Sequence, residues 1–206
     1  MIKNNLISEK IISKALELFF KKGFNSVTMD DLSTELAMSK KTFYKIFPSK
    51  KEIARMAILT NLKLVEKKIS KVIDSDEPLL IKMSIVLKMA GENISRIKNE
   101  NFRDIKKYIP ELWEEIEKFR KEKLLSKIEK LLYEAKENNY LRSNINIDVL
   151  IMIFESSIHG IINPDILSEK SFSAQQALQT IVATIFEGAM TEEASKKFNE
   201  INKLQN

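Results

Sequence analysis

A chain of 206 residues that is 44% apolar and 31% charged is long enough to bury a sizeable core, and its four glycines and four prolines argue against a turn-rich β fold and for long helices. It has no cysteine and a single histidine, which excludes a disulfide framework and thiolate metal sites, and no apolar run approaches the roughly 18 residues a transmembrane helix needs. The net charge of +5 resides entirely in the first sixty residues, with 11 Lys and Arg against 6 Asp and Glu there and 23 against 23 beyond. Such a local positive field suits a polyanionic partner, nucleic acid or acidic lipid. Met1-Ile2-Lys3-Asn4-Asn5 lacks the apolar run and cleavage site of a signal peptide, so a cytoplasmic chain is expected.

The first predicted helix runs Leu6 to Lys22, with Ile11, Ala15, Leu18 and Phe19 on one apolar stripe and Gly23 as its stop. Thr28 reads as the N-cap of a second helix, about Met29 to Leu36, completed by Asp31 as a capping box. Ser39 caps a third, Lys40 to Ile46, after a joint at Ala37-Met38. Pro48 ends it, and Ser49 with Glu52 opens a fourth helix reaching about Ile73.

Asp74–Pro78 is the clearest break and reads as a domain junction. Beyond it the pattern stays helical: Leu79–Lys98, a short piece at Phe102–Lys107, and a long helix from Pro110 to about Asn138. A helix capped within Asn144–Ile147 then reaches His159-Gly160, Ile161–Asp165 is expected as a loop, and a last core helix covers Ala174–Met190. The polar tail from Thr191 is expected to fray.

Capped second and third helices joined by a tight turn follow the helix-turn-helix plan. On a helical wheel the third helix puts Lys40, Lys41, Tyr44 and Lys45 on one side, and Phe43 and Ile46 on the other. A helix of about two turns does not hold itself and must be braced by its neighbours. Its polar side then fits a major groove roughly 12 Å wide. Lys40, Lys41 and Thr42 are placed to reach base edges, Tyr44 and Lys45 to touch phosphate. Thr28 and Lys50 stand at helix N-termini, where free N–H groups and the helix dipole favour an anion. A lysine cluster alone is more often a solvated face. A membrane-surface helix would need to expose the Phe43 and Ile46 side that the three-helix core requires, so no membrane partner is expected.

The stretch KALELFFKKGFNSVTMDDLSTELAMSKKTFYKIFPSKKEI resembles the N-terminal domain of TetR-type bacterial transcriptional regulators, at Ala15, Phe19, Gly23-Phe24, Thr28, Leu32, Ser39, Thr42, Tyr44, Phe47, Lys50 and Glu52. It departs at Ala37, where glycine is usual, so the turn must be made without a left-handed glycine, and at Lys41, often glycine. The resemblance implies an all-α fold: a helix-turn-helix DNA-binding domain over residues 1–50, joined by the long fourth helix to an all-helical effector-binding and dimerisation domain over residues 51–206. It implies a sequence-specific regulator, by family default a repressor, with Thr28, Ser39, Lys40, Lys41, Thr42, Tyr44, Lys45 and Lys50 toward a palindromic double-stranded operator. It also implies a homodimer through helices at about 148–159 and 174–190, and a small effector.

For an effector pocket the soft and aromatic residues of the central helices are candidates: Met83, Met89, Phe102, Tyr108, Trp113, Phe119, Met152 and Phe154, most of which would serve equally as core. Such a set suggests a lipophilic effector. His159 is expected to cap a helix C-terminus. With no GxGxxG, P-loop or HExxH, and with Glu111 to Lys121 reading as a salt-bridged helix start, neither catalysis nor a cofactor or metal is expected. The alternative is a helical dimer acting through protein contacts, its basic head secondary.

Overall fold

The computed structural model describes the backbone of residues 2–204 and the side chains of residues 6–204. Apart from one antiparallel bridge between Leu141 and Met190, all its regular structure among the described residues is helical. Helix α1 (Ile2–Lys22) ends at Gly23, whose φ of +84° is left-handed and whose N–H bonds Phe19 O at 2.9 Å. A Cβ at Gly23 would lie 3.2 Å from Asn101 Oδ1 and 3.3 Å from Asp104 Oδ2, so the chain here also packs closely against a later helix.

Helices α2 (Met29–Glu35), α3 (Lys40–Ile46) and α4 (Lys50–Ile73) start after Thr28, Ser39 and Ser49, each side chain accepting from the N–H three residues on. Between α2 and α3, Ala37 takes φ +49°. The joint therefore keeps the left-handed conformation and puts it on an alanine, a strain of about 1–2 kcal/mol. Tight packing imposes it: Leu32 and Phe43 are fully buried on either side, and Ala37 N–H still bonds Thr34 O.

Two cores divide along α4. The first gathers Ile11, Phe19, Val27, Leu32, Phe43 and Ile53 with Ile105, Ile109 and Leu112. Those last three come from α6 (Asn99–Tyr108), the turn after it, and α7 (Pro110–Phe119), so helices far along the sequence seal the head. The second core begins at Val65 and takes in α5 (Leu79–Ser95) and the later helices. Asp74–Pro78 is a hairpin turn inside it, because Ile73 and Leu79 are buried in the same core.

Three expectations are corrected downstream. The helix from Pro110 is interrupted by a wider π-type stretch, Arg120–Leu125, before α8 (Ser126–Glu137), and a second such stretch, Ala183–Glu187, follows α11 (Ala174–Val182). The expected loop at Ile161–Asp165 is only a turn: α9 (Ile147–Ile161) runs into it, and Asn163 caps a six-residue helix, α10 (Pro164–Glu169), with proline at its first position, where no N–H is needed. The tail does not fray. It forms α12 (Glu192–Leu204), which buries Ala194 and Phe198 in the second core and bonds Asn202 to Ser84 of α5.

The start of α4 is tied to α7 by a bidentate pair, Arg55 Nε and Nη2 each 2.8 Å from a Glu115 carboxylate oxygen. This bond holds the Glu115 carboxyl below its ordinary 4.5. A depressed carboxylate stabilises the fold above its unfolded value and loses that contribution as pH falls through its folded value. The unfolding midpoint should therefore drop more steeply between about pH 5 and pH 3 in the wild type than in Glu115→Gln, measured in urea. Ala37→Gly should raise the midpoint, by up to about 1 kcal/mol of stability at an unchanged denaturant slope.

Candidate nucleic-acid interface

Helix α3 is braced as its pattern requires. Phe43 is 0% exposed in the first core, and Ile46 packs half-buried against it. The opposite side turns Lys40, Lys41, Tyr44 and Lys45 outward, with Tyr44 52% exposed. Lys41 and Lys45 pair with no carboxylate among the described residues. A row of cations on a helix anchored from behind can enter a groove without first folding.

The other expected residues are more occupied. Thr28 donates both its N–H and its hydroxyl to Asp31 Oδ2, at 2.7 Å each, and accepts from Asp31 N–H at 3.1 Å, so its donors are committed within the cap. These bonds also depress the Asp31 carboxyl. Ser39 Oγ lies 3.0 Å from Thr42 Oγ1 and accepts from Thr42 N–H, which fixes Thr42 on the first turn of α3. Lys40 reaches back to Asp30 on α2 at 2.6 Å, and that hydrogen bond raises the lysine. Sequence reasoning missed Asp30. Its signal was an acidic residue in the first turn of α2, beside the cap.

Lys50 is turned inward. Its ammonium donates to Phe24 O at 2.9 Å and Val27 O at 2.7 Å and sits 4.3 Å over the Phe24 ring. Burial pushes it down, against the pull of Asp104 and Asp31. The α1–α2 turn presents two carbonyls with no helical partner, and Lys50 supplies the donor for both. Its ammonium therefore clamps the head instead of pointing at an external anion.

The eight effector-pocket candidates do not form one site. Met83 and Phe154 are buried in the second core, the latter edge-on to Phe186 at 5.5 Å, and Met89 packs half-buried beside them. Met152 is 64% exposed on the outside of α9. Tyr108 packs on the first core, and Phe119 is half-buried on α7. Only Phe102 and Trp113 share a cavity, meeting edge-on at 6.4 Å. Two larger clefts, of about 420 and 410 Å³, are open and carry mixed charge. His159, near the end of α9, lies with Nδ1 3.1 Å from Glu117 Oε2 in the second of these, and Glu117 also bonds Arg120. No group of metal-ligating side chains and no helix long and apolar enough to cross a membrane occurs among the described residues.

Residues 11–57 match the family model for bacterial regulatory proteins of the tetR family, and residues 108–191 match that for the C-terminal region of MAATS-type transcriptional repressors. The chain belongs to the TetR family. It is a DNA-binding helix-turn-helix transcriptional regulator with a repressor-type C-terminal region. Among similar proteins, the HTH-type transcriptional regulator YvaF of Bacillus subtilis (strain 168) is 28% identical over 189 residues, 91% of this chain and 97% of YvaF. A transcriptional regulator from Saccharomonospora viridis solved in complex with choline shares the fold at TM-score 0.70 and 17% identity, covering 91% of this chain and 100% of that one. The fatty acid degradation regulator FadR of Bacillus halodurans does so at TM-score 0.61 and 13% identity, covering 88% and 95%. These are regulators, not enzymes.

Two substitutions separate clamp from contact. Lys50→Ala should lower the unfolding midpoint by about 1–3 kcal/mol, the penalty for carbonyls left without a donor, and leave the salt slope of DNA binding unchanged. A slope shallower by about 0.9 would restore a phosphate role to its ammonium. Asp30→Asn frees the Lys40 ammonium for a base edge and should change which base pair is preferred at one operator position in a selection from random duplexes, with the salt slope changed by less than about 0.9.

Proposed function

We propose that this TetR-family chain acts as a homodimeric repressor that holds a palindromic operator through two copies of α3 and releases it when a small apolar effector binds. The observation that carries the DNA reading is the two-sided α3, with Phe43 locked in the core and Lys40, Lys41, Tyr44 and Lys45 facing out. Lys40, Lys41 and Thr42, nearest the N-terminus of α3, read base edges, while Tyr44 and Lys45 meet phosphate. Thr28, Ser39 and Lys50 act behind them, as caps and clamp. The head comprises residues 1–50 and the effector and dimerisation body residues 51–206, with α4 crossing between them.

One such helix offers few base contacts, whereas two can read half-sites about 34 Å apart or a multiple of it. The dimer surface is supported by α9, where Val149, Met152 and Ile153 stand exposed on one side, and by exposed Gln176 and Thr180 of α11 with Thr184 of the π-type stretch that follows it. Apolar residues at i, i+3 and i+4 that the chain leaves uncovered suit a bundle with the same helices of a second copy. The named similar proteins do not choose the effector, since one is solved with choline and another is named for fatty acid degradation.

Selection from a random duplex pool should recover a palindrome. Met152→Asp should yield a monomer by analytical ultracentrifugation with unchanged helical content, and operator affinity lower by about 10²–10⁴-fold, the loss expected when linked half-sites become independent. A Met152→Asp protein that stays dimeric would remove α9 from the interface. A pool that yields no enriched sequence would remove the operator reading.

A further inference from the structure

The cavity shared by Phe102 and Trp113 lies between head and body, with Phe20 and Phe24 from α1 and its turn on one side and Leu62 from α4 beside them. Its volume is about 80 Å³, and its wall is nearly all carbon. A water needs roughly 10–15 Å³ on the same measure together with two to four polar partners. There is room for several waters, and little to hold them. Two polar residues line it: Asn101, which is buried and donates its amide to Phe20 O at 2.8 Å, and half-buried Asn61. A charged ligand would find no counter-charge in this lining, and desolvation would oppose it. A neutral aromatic ring or a short alkyl group would gain contact with the Phe, Leu, Ile and Trp side chains of the lining.

We propose that this seam is the effector site and that it takes a small, neutral, apolar molecule. The proposal rests on the reading of the chain as an effector-released repressor. The walls belong to separate parts of the regulator: α1 carries the DNA-binding head, while α6 and α7 belong to the body. The same seam is held by Asn101 on Phe20 O and by Asn25 N–H on Asp104 Oδ2 at 3.0 Å, beside Gly23, where a Cβ would crowd the Asn101 and Asp104 side chains. A ligand larger than the resting space presses on Asn101, which lines it, and so loads the bond from Asn101 to Phe20 O. The other face of α6 is held in turn by Asn99, whose amide donates to Leu167 O and Phe172 O at 3.0 Å each. Displacement of α6 therefore loads the body as well as the head.

Trp113 is the only tryptophan of the sequence, so its emission reports on this cavity alone. Full-length protein is titrated with bromobenzene, whose heavy atom quenches indole on contact, and with ethylbenzene as a non-quenching competitor. Operator affinity is measured in the same solutions. We expect saturable quenching that ethylbenzene reverses, and an operator affinity 5–150-fold weaker at saturation with the same midpoint. In Leu62→Phe, which fills the cavity, the ratio of operator affinities with and without bromobenzene should return to about one. Quenching that rises linearly without saturating, or saturable quenching with unchanged operator affinity, would overturn the proposal. The wild-type titration decides this even if the variant fails to fold. A protein that binds no duplex at low salt would sink the regulator reading instead, and the quenching curve would still say whether the cavity takes an apolar guest.

Discussion

Burial of Phe43 is the constraint on which the working surface depends. A seven-residue helix is far below the length that is stable alone in water, so α3 exists because its apolar side is captured against α2 in the first core. That capture fixes the rotation of α3 about its axis, and the rotation decides which side chains face out. Slippage by one residue would turn Tyr44 inward and Phe43 toward solvent. The two caps, Thr28 and Ser39, reinforce the same choice by fixing where α2 and α3 begin. Even the strained left-handed Ala37 is tolerated for this reason, because the angle between the helices outweighs a penalty of about 1–2 kcal/mol.

The head is also not self-contained. Its core is completed by Ile105, Ile109 and Leu112, its surface is pinned by the Asn101 and Asp104 contacts to the end of α1, and the start of α4 just behind it is held by the Arg55–Glu115 pair. An element that seals one core and grips another cannot move without changing both. Any ligand-dependent change in the body thus has a short physical route to the reading helices, through hydrogen bonds and packed rings rather than through α4 alone.

Local chemistry made the head legible. Capping residues act on the next three positions, so Thr28, Ser39 and Ser49 placed α2, α3 and α4 with little error, and the wheel sorted α3 correctly. Where a partner lies far along the chain, no short-range signal exists. The inward turn of Lys50, the sealing role of α6 and the dispersal of the pocket candidates all depend on which helices meet, which periodicity does not encode. The tail failed for a related reason: Ala194 and Phe198 alone are a thin stripe, and only the groove offered by α5 makes them a helix with a buried side. The π-type stretches left no mark in residue type that we can identify.

The placement of α3 is most directly tested by cutting chemistry carried on the helix itself. An iron chelate attached at Lys41→Cys, on protein bound to its selected duplex, should cleave in two patches on one face of the DNA, separated by one helical turn or a multiple of it. Cleavage spread evenly along the duplex, or none where the protein is bound, would contradict the account.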